Sequence, residues 1–189
     1  YSMRLAAGAS DGAWPGGVAV LQSDGAGGFS SVQTVANRTT MGALGGQLFT
    51  GPTNTWDRNG EIYVNMLSGG LSSLTEEQLL LSNANAVAIE NTITSEWEVV
   101  QFASADLQSP GVYRLTGLIR GQLGTEHVMR DPYPVDTRVV FISTNSVEAL
   151  NVSRNVATND TLYRWGPITV PTDDDRFVEG TPRSTVAGV

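Results

Sequence analysis

The chain has 189 residues, 40% of them hydrophobic and 16% charged, with 19 acidic against 11 basic residues and a formal net charge of −8. That length suits one ordinary domain or two small ones, able to bury roughly 70% of the unfolded surface, and the composition excludes a disordered or solvating tail. Acidity opposes binding to a nucleic-acid backbone, no apolar run approaches the roughly 20 residues of a membrane helix, and the absence of cysteine and lysine removes thiol nucleophiles, cysteine-based zinc sites and lysine chemistry.

Glycine at 21 positions and proline at 8 favour turns over long helices. The chain opens at Tyr1 without an initiator methionine or a signal peptide, and so reads as a segment of a longer polypeptide. In chain order, residues 17–22 and 29–35 flank Ser23-Asp-Gly-Ala-Gly-Gly28, the pattern of a β-hairpin. Residues 61–67 alternate Ile62, Val64 and Met66 with Tyr63, Asn65 and Leu67, the period of a strand. Thr75 with Glu76 and Glu77 starts the one helix expected, over 75–81, because a threonine cap and two carboxylates suit a helix N-terminus.

Further strands are expected at 86–90, 96–103, 112–120, 139–142 and 161–165, with 96–103 and 112–120 forming a long hairpin separated by Asp106-Leu-Gln-Ser-Pro-Gly111, in which Pro110-Gly111 supplies the reversal. Residues 171–189 lack periodicity and read as a loop or a linker to a further domain, leaving 1–170 as the β-rich domain. The fold class expected is mainly β, an antiparallel barrel or sandwich with one short helix, with α+β as the alternative.

The densest motif is Trp97-Glu-Val-Val-Gln-Phe102 followed by Pro110-Gly-Val-Tyr-Arg-Leu-Thr-Gly-Leu-Ile-Arg-Gly-Gln-Leu-Gly-Thr-Glu126. It resembles a region of phage tail-tip and baseplate host-specificity proteins, including those of gene transfer agents. Trp14-Pro-Gly-Gly-Val-Ala-Val-Leu21, Trp56-Asp57 and Leu79-Leu80-Leu81 fall in the same order as in that family. The resemblance implies a non-enzymatic structural component of the distal virion tail, present in the host cytoplasm during assembly. Its implied partners are other tail or baseplate proteins and copies of itself, arranged as a trimer. Any glycosidase activity would belong to a separate domain of the parent chain, and no cofactor is implied. The alternative is a module that recognises host surface glycans through exposed tryptophans.

Within the motif, Arg120, Gly121, Gln122, Gly124, Thr125 and Glu126 read as architecture: the glycines permit a bend, and Arg120 braces Glu126 or a loop carboxylate through a two-point contact. The competing reading makes Arg120, Gln122, Thr125 and Glu126 a ligand patch. Glu96 and Glu98 share a strand face and read as solvated carboxylates flanking an inward Trp97, since glycosidase pairs face each other across a cleft from different elements. His127 reads as a loop-face histidine with no second ligand. Asp57-Arg-Asn-Gly-Glu61 is too short for a calcium loop and reads as a turn, Asp173-Asp-Asp175 as a solvated run, and the sequons at Asn37, Asn151 and Asn159 carry no role. Trp14, Trp56, Trp97 and Trp165 read as core aromatics. No catalytic or metal-binding residue is expected.

Overall fold

The computed structural model describes residues 2–9, 16–82, 84–142, 148–151 and 161–181. In chain order its strands are β1 (Ser2–Leu5), β2 (Val18–Ser23), β3 (Phe29–Val35), β4 (Met41–Leu44), β5 (Trp56–Asp57), β6 (Ile62–Ser68), β7 (Ala86–Asn91), β8 (Glu96–Ser109), β9 (Val112–Gln122), β10 (Arg138–Ile142), β11 (Glu148–Asn151), β12 (Tyr163–Pro167) and β13 (Val178–Gly180). One helix, α1 (Glu76–Leu81), lies between β6 and β7, and a 3-10 turn (Glu126–Val128) follows β9. The fold is therefore mainly β, as the turn-rich composition and short apolar alternations predict.

Strands β9, β6, β4, β10, β7 and β8 pair antiparallel in that order, and β8 returns to β9, closing a six-stranded barrel. Six strands enclose a space that side chains fill, with no room for a lumen. Leu44, Ile62, Val64, Val87, Ile89 and Val139 are among the residues that fill it, each contributing about 1.5–3 kcal/mol by leaving water. Phe102 and Phe141 meet edge to face, with centroids 5.9 Å apart, the arrangement that their ring quadrupoles favour. The segments before and after the barrel supply a second sheet, β13-β12-β2-β3, and the pair β1-β11.

The expected hairpin at 17–35 is β2-β3, and its turn is tied by Asp24 Oδ1, which accepts from the Ala26 and Gly28 amides at 2.7 and 2.9 Å. Those backbone donors hold the Asp24 carboxyl below its ordinary value. The helix is capped as expected: Thr75 Oγ1 accepts from the Gln78 amide at 3.2 Å, and Gln78 Oε1 accepts from the Thr75 amide at 3.0 Å. Only Leu79 of its residues is buried, while Leu80 and Leu81 face outward.

Two readings are corrected, and several short strands are added. The long hairpin has no loop over 106–109: β8 runs to Ser109, so the reversal is confined to Pro110-Gly111. The part of 171–189 that is described is no simple linker, because Phe177 is buried and Val178–Gly180 pairs with β12. Arg164 on β12 lies between the Phe29 and Phe177 rings, 5.8 and 5.7 Å from their centroids, and so clasps that strand to the sheet. Strands β1, β4, β5, β11 and β13, of two to four residues each, were too short to register as a period. Trp14, Asn159 and residues 182–189 lie outside the described residues.

Candidate functional site

The strand pairings place three connections at one end of the barrel: 45–61 after β4, 92–95 after β7, and 123–137 after β9. The Arg120–Glu126 motif forms the corner where β9 enters the last of them. Arg120 is 1% exposed and Glu98, on the neighbouring β8, is 0% exposed. Arg120 Nε donates to Glu98 Oε1 at 2.6 Å, Nη2 donates to Oε2 at 2.8 Å, and Nη1 donates to the Phe49 carbonyl at 3.1 Å. The two-point contact expected of Arg120 is thus present, but its partner is Glu98. The sequence anticipated Glu126 or a loop carboxylate as that partner; Glu98 instead lies on a strand, and Glu126 is exposed at the start of the 3-10 turn.

Glu98 also corrects the reading of β8. Glu98, Val100 and Phe102 are all buried, whereas Trp97 is only half-buried, so the inward face is the one carrying Glu98. A carboxylate enters the apolar interior because the guanidinium of Arg120 enters with it, and each satisfies the other's hydrogen-bonding capacity. The sequence held a signal for this: Glu98 is in phase with Val100 and Phe102 along the strand period. Its charge masked that phase.

The rest of the motif shapes the corner. A register shift between Val99 and Gln101 interrupts the β8-β9 ladder, and there the Val99 amide donates to Thr125 Oγ1 at 2.9 Å while the Thr125 hydroxyl donates to the Gln122 carbonyl at 2.7 Å. Thr125 is 1% exposed and stands in for the missing ladder partner. Gly121 has φ +64, and a Cβ placed on it would lie 2.8 Å from Glu126 Cβ. Gln122 is half-buried, and Gly124 is exposed with open space around it. Beyond β9, the Thr53–Arg120 bridge and the Asn54 amide, which donates to the Arg120 carbonyl at 3.4 Å, tie the 45–61 connection to the same corner.

Tyr133 completes the cluster from the 123–137 connection. It is fully buried, and its hydroxyl donates to the Val128 carbonyl at 3.2 Å. Burial, reinforced by the nearby negative charge of Glu98, raises its hydroxyl above the ordinary value of 10.0. The folded chain therefore keeps this proton where the unfolded chain loses it. The stabilisation is fully present below pH about 10 and is lost as pH rises above that value. Urea midpoints measured from pH 8 to 12 are expected to fall in this alkaline range, and to fall less steeply in Tyr133→Phe. Parallel slopes for the two proteins would show that Tyr133 contributes nothing to the alkaline limb.

The remaining candidates fall apart from this cluster. His127 is exposed, its Nδ1 is 3.1 Å from the Gly124 carbonyl, and its Nε2 is 3.7 Å from Glu96 Oε1. Asp57 does form a turn, its Oδ1 accepting from the Asn59 and Gly60 amides at 3.2 and 2.8 Å. Asp174 is engaged at two points by Arg176, at 2.8 and 2.9 Å, which holds its carboxyl at about 2. Among the described residues no group of three potential ligands converges on a metal site, and no helix is long and apolar enough to cross a membrane. Of the described tryptophans only Trp165 is exposed, while Trp56 and Trp97 are half-buried, Trp56 beneath the Arg58 guanidinium at 5.4 Å. Asn37 is exposed and Asn151 lies on β11.

Chemically, these groups brace one another and present no nucleophile paired with a base. The fold and the cluster together define a class: a closed antiparallel β-barrel whose interior end is locked by a buried, two-point ion pair. The model of the family described as Rcc01698-like, C-terminal, matches residues 39–140, which is more than half of the chain and coincides with the barrel strands β4 to β10. The chain belongs to this family, which is associated with gene transfer agent proteins. No curated protein matches the chain.

Proposed function

We propose that the chain is a non-catalytic structural module of the tail tip or baseplate of a tailed phage or gene transfer agent, contributing to tail assembly and host attachment. In this reading it resides at the distal virion tail, is assembled in the host cytoplasm, and contacts copies of itself and other tail proteins around a threefold axis. The observation that carries the reading is the use of the motif's polar groups. Arg120 and Thr125 are consumed in bracing β8, β9 and the 45–61 connection, which suits a load-transmitting scaffold better than a reaction centre. Membership of a family associated with gene transfer agent proteins supports the same assignment. The glycan-binding alternative calls for two exposed tryptophans on one concave face, and the described residues offer Trp165 alone.

The test is immunogold electron microscopy of particles from cells producing the full-length protein. Label at the distal tail is expected; particles that mature and carry no label would end the proposal. Purified protein is also expected to release no soluble fragment from peptidoglycan or capsular polysaccharide. Release that vanished in Glu96→Gln or Glu126→Gln would replace the structural reading with a catalytic one.

A further inference from the structure

Leu123 breaks two local rules at once. It sits in the tight turn that the Thr125 amide closes on the Gln122 carbonyl at 3.2 Å, with φ +59, and Gly124 follows with φ +77. Turns with two successive residues of positive φ select Asn-Gly or Asp-Gly, because a bulky side chain is strained there. The Leu123 side chain is 77% exposed, so core packing gives no reason for a leucine. A position that contradicts both its turn and its solvent points to a role outside folding.

Its surroundings indicate what that role is. The other two connections at this end present Ile93, 73% exposed, and Phe49, 59% exposed. The three connections are fastened together. Leu48 pairs with Tyr133, the Thr50 amide donates to Asp131 Oδ1 at 3.1 Å, Asn91 Nδ2 donates to the Val128 carbonyl at 2.8 Å, and Arg130 Nη1 donates to Thr92 Oγ1 at 3.3 Å. Apolar tips held on a braced frame lose little conformational freedom on contact, so they are preorganised for binding. On and beside these connections stand Glu96, Glu126, Asp131 and Asp136 against Arg130, while Arg58 and Arg138 are already paired with Glu76 and Glu90.

We propose that this end of the barrel is a docking surface anchored by Leu123, and that its occupant is a different protein presenting an apolar depression ringed by basic side chains. A second copy of this chain is disfavoured, because the same carboxylates would face each other across the contact, within a chain of net charge −8. The proposal does not depend on the particle assignment.

The 189 residues contain no lysine, which makes the test directional. The full-length protein is isolated with its bound proteins from producing cells and treated with a water-soluble carbodiimide, which joins carboxylates to amines, and the joined positions are mapped by mass spectrometry. Amides from Glu96, Glu126, Asp131 or Asp136 to lysines of a different polypeptide are expected. They should fall at least tenfold in Leu123→Asn and remain unchanged in Leu107→Asn, which alters an exposed leucine beside the β8-β9 reversal at the opposite end of the barrel. The urea midpoint of Leu123→Asn should equal or exceed the parent's, since asparagine suits the turn. Overturning results are no adducts, adducts only at Asp106 near the opposite end, adducts only to another segment of the same polypeptide, an unchanged yield in Leu123→Asn, or a lowered midpoint for it. None of these results turns on whether the joined protein belongs to a virion tail, so the docking surface and the particle assignment can fail separately.

Discussion

Replacing Arg120 with alanine is expected to lower the stability of the barrel by about 3–5 kcal/mol, the usual consequence of leaving one partner of a buried ion pair alone. Glu98 is fully buried, so water cannot take over the two contacts, at 2.6 and 2.8 Å, that it loses. The Phe49 carbonyl loses its donor as well, which loosens the 45–61 connection. Arg120→Lys should recover only part of the loss, because an ammonium keeps the charge but not the planar fork. The double variant Arg120→Met with Glu98→Leu should recover most of it, since removing both charges removes both desolvation penalties. Urea unfolding of the four proteins tests this order, and a midpoint for Arg120→Ala equal to the parent's would refute the bracing role.

The sequence made the periodic parts of the fold legible. Residues 61–67, 86–90 and 139–142 alternate or run apolar, and each is a barrel strand, because a strand's side-chain period is written directly in its residues. Thr75 and its following carboxylates likewise announced α1. What could not be read is pairing over long range. Met41–Leu44 sits between β6 and β10, yet four residues with a central glycine carry no period, and only the neighbouring strands make them a stave of the barrel. In the motif, sequence supplied Arg120's need for a two-point carboxylate but not the carboxylate. Glu126 is near in sequence, whereas Glu98 is 22 residues away and meets Arg120 only because β8 and β9 lie side by side. Leu123 shows the converse: its oddity is invisible until φ and exposure are known.

Gly121 provides the second large expected effect. Gly121→Ala should lower stability by about 2–4 kcal/mol, from two causes that act together. At φ +64 an alanine is strained in the left-handed region, at a cost of roughly 1–2 kcal/mol. Its Cβ would also lie 2.8 Å from Glu126 Cβ, 2.9 Å from Glu126 Cα and 3.2 Å from the Glu126 nitrogen. Two of those three atoms are backbone, so the turn that carries Thr125 must shift, and such overpacking costs about 1–3 kcal/mol. Reduced freedom of the unfolded chain returns about 0.4–1 kcal/mol. Gly124→Ala separates the causes, since Gly124 has φ +77 but nothing within 4 Å of its added Cβ. It should show the conformational strain without the clash. Urea midpoints are therefore expected to fall in the order parent, Gly124→Ala, Gly121→Ala. Equal midpoints for the two alanine variants would mean that the Glu126 turn yields freely, and that the close approach of β9 to it does not hold the corner.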